Sequence, residues 1–410
     1  LRLQIRPSDR TDCYRTPVGG WQNGGVTDID EGPTPIDSLI RAWHQNPILL
    51  IITGLILVVT LAGLALLWPA QNALPPREPL FPAHTRPVNG RVLSTTPAPE
   101  PFGSLMVQAA SRNVEVMNDW EFPADLFQAG DRVRLLAVEG PDPGVTLEYV
   151  FFDFNRTIPL SVLGLAFVAV VILVARTKGL AAIVGLASAT ATVWWFTIPA
   201  LLAGRNPVAV ALVTASAVMF LVVYLSHGIS FKSTAALLST LATITVVTML
   251  GWAVLPVAHI HPEVSGDFRY LANMLPGVSL RGILICGMAL AGVGVLNDVT
   301  ITQAAIVWEL HGANPALTRN ELARSALRIG RDHIASSVYT IAFALVGASL
   351  ALLMMVQMVE HTTLDLLSFD EVAQELVAIG VTSIGMVLAI PFSTILAAAL
   401  MPLEPSRRAY

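Results

Sequence analysis

One carboxylate stands inside a long apolar stretch. From Ile283 to Trp308 the only acid is Asp298, preceded by Asn297. An ionised carboxylate at bilayer depth costs about 3 kcal/mol or more unless it is paired, hydrated or protonated. At about 3.6 residues per turn, Thr302, Ala305 and Glu309 fall near its face. An acid at mid-depth, a hydroxyl and a second acid near the helix end could pass a proton or a cation. We therefore take Asp298, Asn297, Thr302 and Glu309 as a candidate intramembrane ion or proton site. Asp332 and His333 open the next span, and Ser336, Ser337 and Thr340 offer hydroxyls along it. His227 closes an earlier span. Histidine carries protons near neutral pH, but a lone interfacial histidine is more often an ordinary satisfied polar group. The competing reading of Asp298 is structural: a buried carboxylate bonded to neighbouring helices and fixing their register.

Glycines surround the acid. Gly287, Gly292 and Gly294 precede it, with Ala289 and Ala291 between. Small residues let helices approach closely, and they also let a helix bend or unwind so that freed carbonyls face a cavity. Both readings stand. Ala181, Gly185 and Ala189 repeat the spacing and read as packing.

The elements that must position these residues are membrane helices. The chain has 410 residues, of which 13% are charged, and a mean hydropathy of +0.65. That composition belongs to a membrane protein. Apolar runs predict about eight transmembrane helices, at 48–68, 158–175, 180–203, 208–227, 234–256, 282–308, 333–358 and 376–400. With the N-terminus in the cytoplasm, fourteen Lys and Arg fall on cytoplasmic segments and three (Arg205, Arg269, Arg281) on short outer loops. This bias orients the chain with both termini cytoplasmic. Seven more fall in the long outer segment 69–157, which is exempt from the rule. The first span could be a signal peptide cleaved near Ala70–Ala73. Its long leader and apolar run of membrane length predict a retained anchor instead.

The expected organisation follows. Residues 1–46 form a disordered cytoplasmic tail, 47–68 an anchor, 69–157 an extracytoplasmic segment, 158–402 a seven-helix membrane domain and 403–410 a cytoplasmic tail. Within the extracytoplasmic segment, prolines at 69–85 make an extended spacer. Residues 86–152 then hold strand-like runs at Val88–Leu93, Leu105–Ala109, Asn113–Met117, Arg132–Val138 and Thr146–Phe151, separated by turn residues. They predict a small antiparallel β-domain, barrel-like in the manner of an OB-fold. The fold class is thus an all-α polytopic bundle with a small extracytoplasmic β-domain between helices 1 and 2. Arg156 is expected to snorkel at the outer interface. Thr318 and Glu321 have capping-box spacing. Arg324, Arg328 and Arg331 share one face of the helix that follows, and Leu322, Ala326 and Ile329 another. This reads either as a short helix on the inner leaflet before the seventh span or as a plain positive-inside signal.

Several functions are excluded by what is missing. There is no Walker loop, HExxH, nucleophile elbow or dinucleotide fingerprint, so the chain reads as no enzyme, with no catalytic residues. No metal or cofactor ligand set is present, and Cys13 and Cys286 lie too far apart in topology to pair. Nucleic-acid binding lacks a basic domain.

The segment Gly292-Val-Gly294-Val-Leu-Asn297-Asp298-Val-Thr-Ile-Thr302, running on to Trp308-Glu309-Leu310, resembles the YibE/F family of bacterial multi-span membrane proteins. Asn314-Pro315, Glu321-Leu322, Ile329-Gly330-Arg331-Asp332, Ser383-Ile-Gly385 and Ile390-Pro391 follow in the family's order, and Phe231-Lys232 fits an earlier loop. The resemblance covers 150–402 well and 86–150 weakly. Asn297 stands where the family commonly has an apolar residue, and His333-Ile-Ala-Ser-Ser replaces a Met-Gly-Thr type run. The resemblance implies fold and bacterial membrane location, and carries no activity.

Two functional readings result. The first is a permease of the bacterial inner membrane that moves a small solute or ion. Asp298 would exchange a proton or cation, the glycines would allow local unwinding, and Glu309, Arg331 and Asp332 would form a cytoplasmic gate. The second is an envelope receptor or scaffold whose β-domain binds a protein partner, with Asp298 purely structural. The lipid bilayer is the partner common to both.

Overall fold

Long apolar runs and one alternating stretch dictate two kinds of structure. The computed structural model describes residues 47–401, apart from 77–78, 97–103, 110–111, 118–125, 141–145, 265, 276, 361 and 363. Both tails, Cys13 and most of the 140–144 turn lie outside the described residues.

The first helix, α1 (Pro47–Leu67), is apolar on every side and largely exposed. One hydroxyl pair anchors it: Thr60 Oγ1 lies 2.7 Å from Ser216 Oγ. Gly63 permits the contact, since a Cβ there would stand 2.5 Å from Val213 Cγ2.

The alternating stretch forms β1 (Thr85–Thr96), β2 (Ser104–Ala109), β3 (Arg112–Met117), β4 (Arg132–Glu139) and β5 (Thr146–Phe154). Each contains or overlaps one of the five expected runs. They close into a barrel in the order β1-β2-β3-β5-β4, with β3 and β5 parallel at Met117 and Val150. This is a five-stranded barrel of the OB kind. Its core is made by inward-facing residues, including Val92, Val107, Val116, Val133, Leu135 and Phe151. Gly90 is needed where β1 crosses that core, because a Cβ would lie 2.4 Å from Val107 Cγ1.

β5 runs into the bundle through Asn155 and Arg156 alone. The next helical stretch, α2 (Thr157–Thr192), continues through a π-helical turn at Val193–Thr197 into α3 (Ile198–Leu202). The sequence divides this stretch into two spans. The structure contains one non-helical residue there, Arg176, at φ 52° and ψ −127°. A Cβ on Gly179 would lie 2.4 Å from the Val171 carbonyl oxygen. Eight residues of straight helix extend about 12 Å, so the chain folds back sharply at Arg176.

The remaining helices are α4 (Pro207–His227), α5 (Phe231–Val257), α6 (Gly266–Met274), α7 (Leu280–Ala313), α8 (Arg319–Ala348), α9 (Leu350–Gln357) and α10 (Asp370–Leu400). Helices α5, α7 and α10 pack against one another, with α4 beside α5 and α7. Met219, Leu237, Ile244, Leu255, Leu296 and Met386 are fully buried among them. The hydroxyls of α5 mostly bond back to their own helix, as Thr243, Thr245 and Thr248 do. Thr240 also reaches Thr300 of α7, at 2.7 Å.

Helix α8 corrects one expectation. The capping box at Thr318 and Glu321 is present, but the helix it opens continues without a break to Ala348. No separate helix lies between it and the next span. The physical reason is that Leu322, Ala326 and Gly330 are buried against protein. Of the apolar stripe expected to face lipid, Leu322 and Ala326 are spent on packing and Ile329 is exposed. A 66° bend then separates α8 from α9.

Among the described residues, six helices are long and apolar enough to cross a membrane, or seven if the bent α8–α9 pair is one span. The sequence count of eight comes from dividing Thr157–Leu202 at the Arg176 fold.

Candidate functional site

Successive residues of an α-helix point about 100° apart, and on α7 this decides which polar group enters the bundle. Asn297 turns toward α2 and α4, and its Oδ1 is buried with no hydrogen-bond partner. Asp298 is exposed. Thr302 and Glu309 are exposed on the same side, with Ala291 and Gly294 above them. Helix α7 runs unbroken through Gly287, Gly292 and Gly294. A Cβ on Gly287 or Gly294 would meet no atom within 4 Å, and one on Gly292 would meet only Leu296 of its own helix. These glycines therefore neither unwind the helix nor hold another helix close among the described residues.

Arg331, Asp332 and His333 are exposed on α8. Neither Asp298, Glu309 nor Asp332 has a cationic partner within 4.0 Å among the described residues. The structure thus brings Asp298, Thr302 and Glu309 onto one outward stripe and leaves them apart from the buried polar contacts. Those contacts centre on Gln303, which the sequence reading passed over. Its Nε2 donates to the Ala326 carbonyl at 2.9 Å and to Thr394 Oγ1 at 2.7 Å, tying α7 to α8 and α10. Gly330 lies against the same amide, where a Cβ would stand 2.7 Å from Oε1. A lone amide in the apolar run after Asp298 was the available signal.

A half-open chamber of about 870 Å³ lies between α2, α4 and α7. Leu186, Val193, Met219, Val222, Leu290 and Val293 make its body. Lys178, His227 and Lys232 line it as well. They come from the Arg176 fold, the last residue of α4 and the second residue of α5, so they gather at one end. Neither lysine has a carboxylate within 4.0 Å among the described residues. From His227 to Val218 the wall extends about 13 Å along α4. Gly185 brings α2 onto α4, with Val222 and Ser226 at 3.8 Å from where its Cβ would be.

The chemistry of this lining is specific. Uncompensated cations at the rim of a low-dielectric cavity attract an anion. The apolar body suits a hydrocarbon portion. The unpartnered Asn297 oxygen can accept a hydrogen bond from a hydroxyl or amide.

Near the barrel, Arg156, expected at the interface, stands just before α2 and makes no side-chain cap there. Its Nη1 lies 2.7 Å from Asp153 Oδ1, and its guanidinium lies over the Phe154 ring at 5.6 Å. The backbone N–H of Phe154, with help from Arg156, holds the Asp153 carboxyl below the usual carboxylate range.

Apolar helices of membrane length, packed around a chamber and carrying a small barrel, define a multi-pass helical membrane protein. Within that class the chain belongs to the YibE/F-like protein family, which it matches over residues 163–403. The matched stretch runs from inside α2 past the end of α10 and includes the whole chamber. No curated protein and no solved structure matches the chain.

Proposed function

We propose that this chain is a permease of the bacterial cytoplasmic membrane that binds and moves a small amphipathic anion. The chamber carries the proposal: an apolar body with Lys178, His227 and Lys232 at one end and an unpartnered Asn297 oxygen in its wall. We count eight spans by dividing Thr157–Leu202 at the Arg176 fold. The distribution of Lys and Arg supports cytoplasmic termini, and the cationic end of the chamber then opens toward the cytoplasm. Asp298 follows Asn297 on the outward stripe beside Gly294, a chamber residue. In this reading it takes up or releases a proton or cation as the occupant passes, and Glu309, Arg331 and Asp332 serve the cytoplasmic end.

Thermal unfolding in zwitterionic nanodiscs tests the binding step, with octyl phosphate, octanol and octyltrimethylammonium as probes. Octyl phosphate alone should stabilise the wild type, and Lys178→Gln/Lys232→Gln should lose the effect. Equal shifts with all three probes would refute the assignment.

A second reading has the closed barrel in its favour: a receptor or scaffold whose barrel binds a protein partner in the envelope. It requires no chamber occupant, so the same experiment separates the two.

A further inference from the structure

We infer that the outer face of β1 and β4 is a docking surface for anionic phospholipid headgroups of the membrane crossed by the bundle. Strand alternation sets the face. Gly90, Val92, Val133 and Leu135 turn inward, so Asn89, Arg91, Arg132 and Arg134 turn outward, and all four of these are exposed. In the ladder Arg91 is directly opposite Arg132, and Asn89 is opposite Arg134. Arg134 is in turn opposite Asp153 on β5.

Like charges placed directly opposite on a sheet destabilise it unless something neutralises them. Among the described residues, the local acids do not. Asp153 Oδ1 is taken by Arg156 and by the Phe154 N–H. Asp131 Oδ2 accepts from the Gln128 N–H at 2.8 Å. Among the described residues, no carboxylate lies within 4.0 Å of Arg91, Arg132 or Arg134. Arg91 uses its Nε on the Gly130 carbonyl at 3.3 Å, with Nη2 beside Gly130.

Position identifies the anion. The Arg132 carbonyl accepts from the Asn155 N–H at 2.7 Å, and Asn155 Nδ2 donates to Asn89 Oδ1 at 3.1 Å. Asn155 is two residues before α2 begins. From Ile158 onward α2 exposes apolar side chains such as Leu160, Val162 and Leu163. These arginines are therefore pinned beside the point where the chain enters hydrocarbon, whatever the tilt of the barrel. The anions at that level are lipid phosphates, which guanidinium groups bind in a fork of two bonds. Basic groups near an anionic bilayer are attracted within about one Debye length.

The test is hydrogen exchange of the full chain in nanodiscs of phosphatidylcholine, with or without phosphatidylglycerol. Peptides spanning β1 and β4 should exchange about fivefold more slowly with phosphatidylglycerol at low salt, and high salt should remove the difference. Arg132→Gln/Arg134→Gln should lose the lipid dependence while exchanging like wild type in phosphatidylcholine. Should that variant not fold, the salt series on the wild type decides alone. Equal wild-type exchange in both lipids overturns the inference. So does a lipid effect that survives in the variant or in high salt.

Discussion

Asn297 and Asp298 are consecutive on α7 and serve different surfaces. The amide has its oxygen buried in the chamber wall, unpartnered, and the carboxylate is exposed. Asn297→Leu should therefore stabilise the protein by about 1–2 kcal/mol, because it removes a buried unsatisfied acceptor. The same variant should weaken octyl phosphate binding. Melting curves with and without the probe check both halves.

Asp298→Asn separates a structural carboxylate from one kept for another reason. No ion pair is lost among the described residues, so the melting temperature should barely move, within about 0.5 kcal/mol of wild type. Removal of one partner from a buried ion pair costs about 3–5 kcal/mol, and a drop of that size would return Asp298 to a structural role.

Gln303 should prove far less tolerant. Gln303→Ala removes both bonds to α8 and α10 and opens a cavity beside Gly330. A loss of about 2–4 kcal/mol is expected. Thermal unfolding in detergent measures it, and Gln303→Glu reports whether the site tolerates charge.

The barrel core gives a local prediction. Gly90→Ala places a methyl where Val107 already stands, and overpacking of this kind costs about 1–3 kcal/mol. Exchange of β1 and β2 amides should rise while the amides of α5 and α7 stay as in wild type.

The Asp153–Arg156 contact sets a pH dependence. The Asp153 pKa is depressed in the folded chain, chiefly by the Phe154 N–H and further by Arg156. Its contribution is thus complete above the ordinary carboxylate pKa and is lost as pH falls through the depressed value. Both side chains are about half exposed, so solvent screens the pair and the effect is small. Barrel unfolding followed from neutral to acid pH should show a slope that Asp153→Asn reduces.

Much of the fold was legible because it rests on local periodicity. Alternation from Val88 to Phe151 predicted the five described strands, and the turn residues between them include Gly130, which takes a φ of 105°. The spacing of Thr318 and Glu321 predicted a helix start that the structure contains. The site was less legible, because convergence in space leaves no local pattern. Lys178 and Lys232 read as topology signals, and only their approach to His227 around one chamber makes them a set. Hydropathy marked Asp298 as unusual without giving the direction of its face, and one residue of rotation separates it from the chamber. The continuity of α8 was hidden because an apolar stripe that packs on protein has the same spacing as one that lies on lipid.

The fold at Arg176 constrains biosynthesis. Only Thr177 and Lys178 separate it from Gly179, whose backbone touches Val171. In the proposed eight-span reading, so short a reversal would couple insertion of the two halves of α2 as one hairpin, with Arg176 and Lys178 at its tip, ahead of α4.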